Sequence, residues 1–73
     1  MQISYKKLWK LLIDRDMMKK DLAEQAGISP ASIAKLGRNE NVNTDILLKI
    51  CIALKCDVSD IMEVVEYTET NGD

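Results

Sequence analysis

The chain has 73 residues, of which 47% are apolar and 30% charged, with a formal net charge of −2 and no histidine. This length allows a single domain, and the apolar fraction is too high for a disordered tail. A core without phenylalanine and with one tryptophan must be built mainly from Leu, Ile, Val, Met and Ala, which suits packed helices better than a β-sandwich.

The charge is distributed unevenly. Residues 1–41 carry eight basic and five acidic side chains, a balance of +3, whereas residues 42–73 carry two basic and seven acidic ones, a balance of −5. A domain polarised in this way can turn one face towards phosphate groups. Ordinary solvated charge would explain the asymmetry equally well if it stood alone.

No stretch approaches the roughly 20 apolar residues needed to cross a membrane, and the amino end lacks the pattern of a signal peptide. We therefore expect a cytoplasmic protein with no membrane partner and with reduced thiols. Cys51 and Cys56 lie five positions apart. Because two thiols without histidine make a poor zinc site, half-buried packing explains them better than a metal or redox role.

The first predicted helix covers residues 5–14, where Leu8, Leu11 and Leu12 have helical spacing. A second helix, KKDLAEQAG, follows residues 15–18 and ends at Gly27, a residue that easily adopts the left-handed conformation of a helix end.

Ser29 is a good N-cap for a third helix, with Pro30 in its first turn. We expect this helix to reach about Leu36, and residues 37–41 to end it and form a loop. Asn43 or Thr44 then caps a fourth helix. Its inward face is formed by Leu47, Ile50, Cys51 and Leu54.

Residues 57–66 suggest a short fifth helix with Val58, Ile61 and Met62 inward, although EVVEYT could also be extended. The expected domain is 1–67, followed by a polar tail over 68–73.

Residues 19–36 are the segment that says most about function. They contain two short helices joined by a tight turn, and a steep crossing in such a turn needs a glycine and small side chains at the contact. The second helix can then place its amino-terminal residues in a major groove. Any small helical bundle contains such a hairpin, so spacing alone leaves DNA binding and a purely structural role equally open.

The run LA…AGIS…SI..L, followed by a loop and LLKI…AL, resembles the Cro/phage-repressor (XRE-like) helix-turn-helix family from about Leu8 to Met62. The matching residues are Leu11, Met17, Leu22, Ala23, Ala26, Gly27, Ile28, Ser29, Ser32, Ile33, Leu36, Leu47, Ile50, Ala53 and Leu54. The resemblance implies an all-α, compact five-helix bundle of the lambda-repressor-like type, with helices 2 and 3 forming the helix-turn-helix. It also implies a homodimer that binds a pseudo-palindromic operator in double-stranded DNA and regulates transcription, with repression as the expected outcome.

The resemblance assigns DNA-contacting roles by position. The implied base contacts are Pro30, Ala31, Ser32 and Lys35. The implied phosphate contacts are Lys19, Lys20, Ser29, Arg38, Asn39 and Asn41. Lys35 would be the main base-reading side chain, because it can donate to guanine O6 and N7.

Three departures from the family pattern concern the operator more than the fold. Met18 stands where the family usually has a Ser or Thr cap, and Gly37 replaces a frequent Glu. Pro30 and Ala31 offer only apolar contact, so specificity could depend partly on DNA shape.

No enzymatic activity and no cofactor or metal are expected, since histidine, a GxSxG motif and a phosphate loop are all missing from the sequence. The main alternative is an antitoxin-like or adaptor module that binds a protein partner through the same fold. The candidate dimer or partner surface comprises Ile46, Ile52, Val64, Val65 and Tyr67. Closure of the core by the carboxy-terminal segment explains these residues equally well.

Overall fold

The structure is a computed structural model that describes residues 2–66. Within these residues the chain forms four helices, flanked by the two strands of a small sheet. The elements are β1 (Gln2–Ser4), α1 (Lys6–Asp14), α2 (Lys19–Ala26), α3 (Pro30–Gly37), α4 (Thr44–Leu54), a 3₁₀ turn (Val58–Asp60) and β2 (Glu63–Val65). The first four predicted helices are confirmed. Within residues 2–66, none of the helices combines the length and the apolar character needed to span a membrane.

The predicted fifth helix is wrong, and the fold has four helices with a small sheet. Asp57 does cap a helical start, because its side chain accepts from the Val58 N–H at 2.6 Å, but the helix lasts only one 3₁₀ turn. The chain then extends as β2, which pairs antiparallel with β1. The β-branched pair Val64–Val65 favours an extended chain once a strand partner exists. That partner comes from the other end of the sequence, which explains why local pattern alone left the choice open.

The residues predicted to point inward from the fifth helix behave differently from one another. Ile61 is fully buried and Met62 half-buried, whereas Val58 is exposed. The extended path therefore still delivers Ile61 to the core, so the apolar pattern of this segment was informative about burial but not about helix formation.

A single core lies between the helices and the 3₁₀ turn. α1 and α4 each contribute a pair of buried side chains four residues apart, Leu8 with Leu12 and Ile50 with Leu54, which is the spacing of one helix face. The buried apolar residues are Tyr5, Leu8, Leu12, Leu22, Ile28, Leu36, Ile50, Leu54 and Ile61.

Tyr5 ties the start of the chain to the loop that follows α3. Its backbone N–H donates to Asn39 Oδ1 at 3.0 Å, and its hydroxyl donates to the Glu40 carbonyl at 3.0 Å. The side chain is buried, and its carbonyl accepts from the Leu8 N–H at 2.9 Å, which begins α1. One residue therefore fixes β1, α1 and the loop after α3 relative to each other.

α4 ends in a left-handed residue, Lys55, with φ 55°. The Cys56 N–H donates to the Cys51 carbonyl at 3.0 Å, which is the long hydrogen bond of a Schellman motif. Such a motif brings the residues at these two positions into apolar contact. The cysteines are free and half-buried, and burial raises the pKa of both thiols. Packing at a helix end thus accounts for their spacing.

We expect Tyr5→Phe to lower the free energy of unfolding by about 1 kcal/mol at neutral pH, because it removes the bond to Glu40. Burial raises the pKa of Tyr5 above its usual 10.0 and outweighs a backbone hydrogen bond from Val42 that lowers it. The folded state therefore holds the proton more tightly, so the stability due to the phenol persists up to about pH 10 and falls as pH rises further.

Urea titrations of parent and Tyr5→Phe at pH 7 to 11 measure this effect. The stability difference between them should shrink above pH 10. A difference that stays constant across this range would contradict the assigned role of the phenol.

Candidate nucleic-acid interface

The turn between α2 and α3 is formed by Gly27, which has φ 70° in the left-handed region. Its N–H and that of Ile28 both donate to the Ala23 carbonyl, at 2.9 and 3.0 Å, and Ile28 is buried beneath the turn. A Cβ on Gly27 would meet nothing within 4 Å. The glycine is therefore required by its backbone conformation rather than by close packing.

Ser29 begins α3, as predicted. Its Oγ accepts from the Ser32 N–H at 3.2 Å, and Pro30 occupies the first helical position. The two serine hydroxyls also lie 3.2 Å apart. The Ser29 hydroxyl thus has a structural role in addition to the phosphate contact that the sequence resemblance implies.

The exposed face of α3 is continuous along the helix. Leu36 is buried and Ile33 half-buried, and these residues hold the opposite face against the core. The exposed positions on the outer face are Pro30, Ala31, Ala34, Lys35 and Arg38. Ser32, a predicted base contact, is half-buried and lies beside Lys35 at the edge of this face, one helical turn before it.

Ala34 is the position that sequence analysis missed. It lies between Pro30 and Arg38 on the exposed face, four residues from each, so helical periodicity could have identified it. Its small side chain leaves the middle of the face flat. A flat, exposed face of this kind permits a close approach to a groove.

Lys19 and Lys20 form the first turn of α2 and line a groove with Pro30 and Ile33 of α3. Met18 has no hydroxyl with which to cap the helix. Asp21 compensates, because its Oδ2 accepts from the Met18 N–H at 2.9 Å. Two lysines at a helix amino end oppose the macrodipole, at a cost of about 0.3–1 kcal/mol each at low ionic strength. A local cost of this kind is typical of residues kept for binding anions.

Trp9 positions the Lys19 side chain. The Lys19 Nζ lies 4.7 Å from the centroid of the Trp9 ring, a cation–π arrangement. The same Nζ is 3.9 Å from the point where a Cβ on Gly37 would lie. The ammonium group therefore sits beside the carboxy end of α3, at a distance that a Cβ at this position would also permit.

Asn39, rather than Gly37, adopts the left-handed conformation that turns the chain away after α3. Gly37 belongs to the helix, and Asn39 has the left-handed φ of 56°. The Glu40 N–H closes the motif by donating to the Lys35 carbonyl at 2.9 Å. Because Asn39 Oδ1 is bound to Tyr5, its side-chain nitrogen is the group that could donate to a phosphate.

Arg38 and Glu40 form an exposed ion pair, with Arg38 Nε 2.6 Å from Glu40 Oε2. The hydrogen bond from Arg38 is the main cause that lowers the pKa of Glu40, and the charge of Lys35 lowers it further. The carboxylate thus reduces the positive potential around both cations. Asn41 is exposed in the same loop.

The residues of the candidate dimer surface fall into different environments. Ile46 is half-buried against the core and Val65 is also half-buried, while Ile52 and Val64 are largely exposed. Tyr67 lies outside the described residues. Within the part of the chain that the structure describes, no group of three His, Cys, Asp or Glu side chains could hold a metal ion.

A family model for the Cro/C1-type HTH DNA-binding domain matches residues 7–66. The chain belongs to this family. Among solved structures, this Cro/C1-type domain is similar to the transcriptional regulator VanUg, in its crystal form II, with 58% sequence identity and a TM-score of 0.81. The match covers 85% of this chain and 83% of that one. A comparison with curated proteins gives no significant match.

Family membership confirms the resemblance inferred from the sequence and makes α2 and α3 the helix-turn-helix of the domain. The base and phosphate contacts assigned from the resemblance stay predictions.

We expect Asn39→Ala to lower the free energy of unfolding by about 1–3 kcal/mol, because it strains a left-handed position and leaves the Tyr5 N–H unpaired. Asn39→Asp is the matched control. It keeps the acceptor and tolerates the left-handed conformation, so its stability should stay close to that of the parent. Urea denaturation at pH 7 compares the three proteins, and equal stability of the alanine variant would rule out this role of Asn39.

Proposed function

We propose that the protein is a sequence-specific regulator that binds double-stranded DNA with α3 in the major groove and represses transcription. The observation that carries the proposal is the exposed face of α3, flat at Ala34 and bearing Lys35, next to the two lysines at the start of α2. Membership of a DNA-binding domain family and the likeness to a transcriptional regulator support it.

In the proposed complex, base edges are contacted by α3 through Lys35, Pro30 and Ala31, with Ser32 at the rim of the interface. Lys35 donates to guanine, and the two apolar residues contact thymine methyl groups. Ala34 joins them because of its place on the exposed face. With few donors on this face, DNA shape supplies part of the specificity.

Phosphates are contacted on both sides of the groove. On one side, the amino end of α2 offers backbone N–H groups together with the two lysine side chains. On the other, the loop after α3 offers its side chains, and the Arg38–Glu40 pair must loosen for Arg38 to bind fully. The proposed phosphate contacts are Lys19, Lys20, Ser29, Arg38, Asn39 and Asn41.

Two copies on a pseudo-palindrome would place their α3 helices about one helical turn apart, roughly 34 Å. Repression follows most simply from the position of such a complex, since a dimer bound over a promoter excludes other proteins from that DNA.

Fluorescence anisotropy with the DNA upstream of its own gene and a scrambled duplex, at two salt concentrations, tests the proposal. Tighter binding to the upstream DNA that weakens steeply with salt is the expected result. Equal binding to both duplexes would contradict sequence specificity towards this DNA. Absence of binding even at low salt would overturn the DNA-binding function.

We expect Lys35→Ala to weaken binding to the specific duplex by about 1–3 kcal/mol and to relax the preference at one base pair. Lys10→Ala is the matched control, because Lys10 is exposed on α1 in a cleft with Asp14 and Asp60. Anisotropy titrations against duplexes with single base-pair changes measure both effects. If the control loses as much specificity as Lys35→Ala, the assignment of α3 is wrong.

Lys19→Ala should instead weaken binding to every duplex alike, since phosphate contacts carry no sequence information. The plot of log affinity against log salt should become shallower by about one unit of slope. Titrations at four salt concentrations measure the slope, again with Lys10→Ala as the control. A slope equal to that of the parent would remove Lys19 from the interface.

A further inference from the structure

The outward side of α4 is apolar. Leu48 and Ile52, one turn apart, are 57% and 66% exposed, while Ile50 and Leu54 on the opposite side are buried in the core. Across a shallow groove lies Val58, which is 41% exposed. Neighbouring exposed apolar side chains of this kind mark a candidate protein-binding surface. We call Leu48, Ile52 and their flanking residues Asp45 and Lys55 the α4 outer face.

We propose that the α4 outer face binds a second copy of this chain. The two α4 helices are antiparallel about a two-fold axis that crosses the outer face at the level of residue 50 along the helix. This inference rests on the proposed function, because it assigns the surface that holds the proposed dimer together. It keeps Ile52 from the sequence prediction and replaces the half-buried Ile46 with Leu48.

The positions of the residues on α4 support this arrangement. A two-fold interface pairs each residue with one equally far from the axis on the other helix. Leu48 and Ile52 are each two residues from residue 50. Leu48 therefore contacts the partner's Ile52, and Ile52 contacts the partner's Leu48. The apolar pair is therefore complementary to itself without any further side chain.

The charges follow the same register. Asp45 and Lys55 are each five residues from the axis, so Asp45 lies opposite the partner's Lys55 at both ends of the contact. The Asp45 side chain is exposed and bound only at one oxygen by Lys49, at 3.3 Å. A parallel arrangement would instead place Asp45 against Asp45 and Lys55 against Lys55. The charge pattern therefore selects the antiparallel dimer over the parallel one.

Sedimentation velocity of the full chain over a concentration series tests the apolar contact. Leu48→Ser and Ile52→Ser should each weaken self-association by roughly tenfold to a hundredfold, because each substitution removes two apolar side chains per dimer. Ile13→Ser is the matched control, since Ile13 is 73% exposed on α1 and outside this face. A parent chain that stays monomeric, or variants that associate as the parent does, would overturn the proposal.

Charge reversal tests the register. Asp45→Lys and Lys55→Asp alone should each weaken association by about tenfold, because each creates two like-charged contacts. An equimolar mixture of the two variants should recover the parent's association, since both contacts are then of opposite charge. Aspartate tolerates the left-handed conformation at position 55, and thermal unfolding followed by circular dichroism checks that both variants fold. A mixture that associates no better than its components would overturn the antiparallel register.

Binding to a DNA duplex that carries one half-site separates this inference from the proposed function. The α4 variants should bind a half-site as the parent does, and lose affinity only for the full pseudo-palindrome. If the parent is monomeric and yet binds the half-site specifically, the dimer surface is wrong and the DNA-binding function stands. Absence of binding by the parent to both the half-site and the full pseudo-palindrome, even at low salt, would overturn the function itself.

Discussion

The placement of α3 depends on Tyr5, a buried residue whose backbone and hydroxyl bind the loop after this helix. α3 is held at its start by Gly27 and Ser29, whose effects are local. Its far end is held by Asn39 and Glu40, and both of these bind Tyr5. Without Tyr5, the loop after α3 would keep its own backbone bonds and the exposed Arg38–Glu40 pair. A residue from the beginning of the chain therefore controls the end of the helix proposed to contact bases.

The charges of the proposed DNA-binding surface lie in three different environments. Lysines stand at the amino end of α2, where the helix dipole disfavours them. Lys19 lies over a tryptophan ring rather than against a carboxylate. The Glu40 carboxylate is held by Arg38 and also feels the charge of Lys35, so it lowers the positive potential at this end of the surface. The lysines of α2 leave positive charge available, and a bound phosphate backbone would offset their unfavourable interaction with the helix dipole.

Much of the helical framework could be predicted because its signals are local. Gly27, Ser29 and Asn43 each act within three or four residues, so the sequence around them was sufficient. The end of α3 was predicted to within one residue, and the structure adds that Asn39, rather than the nearby Gly37, takes the left-handed position. The predicted fifth helix failed for a reason that is not local. Its capping aspartate is real, but the strand that competes with the helix pairs with residues about 60 positions away.

The candidate site was predictable to a similar extent. Family resemblance assigned roles to Lys35 and to the lysines of α2, and the structure has these residues exposed on α3 and α2, because their places follow from chain order. It did not reveal that Ser32 is half-buried or that Ala34 occupies the centre of the exposed side of α3. The position of Ala34 follows from helical periodicity and could have been inferred from the sequence. The contact between the Asn39 oxygen and Tyr5 joins residues 34 positions apart, so motif spacing could not show it.

The pairing of Gln2 with Val65 also bears on how the chain folds. Bringing these residues together closes a loop that spans nearly the whole domain, and the entropy lost grows with the length of that loop. The turns between successive helices close only short loops and can form early. The sheet should therefore assemble last, on a helical unit that is already compact. The hydrogen bonds of Tyr5 to Asn39 and Glu40 close a shorter loop, of 34 and 35 positions, so the far end of α3 would be fixed after the turns between successive helices and before the sheet.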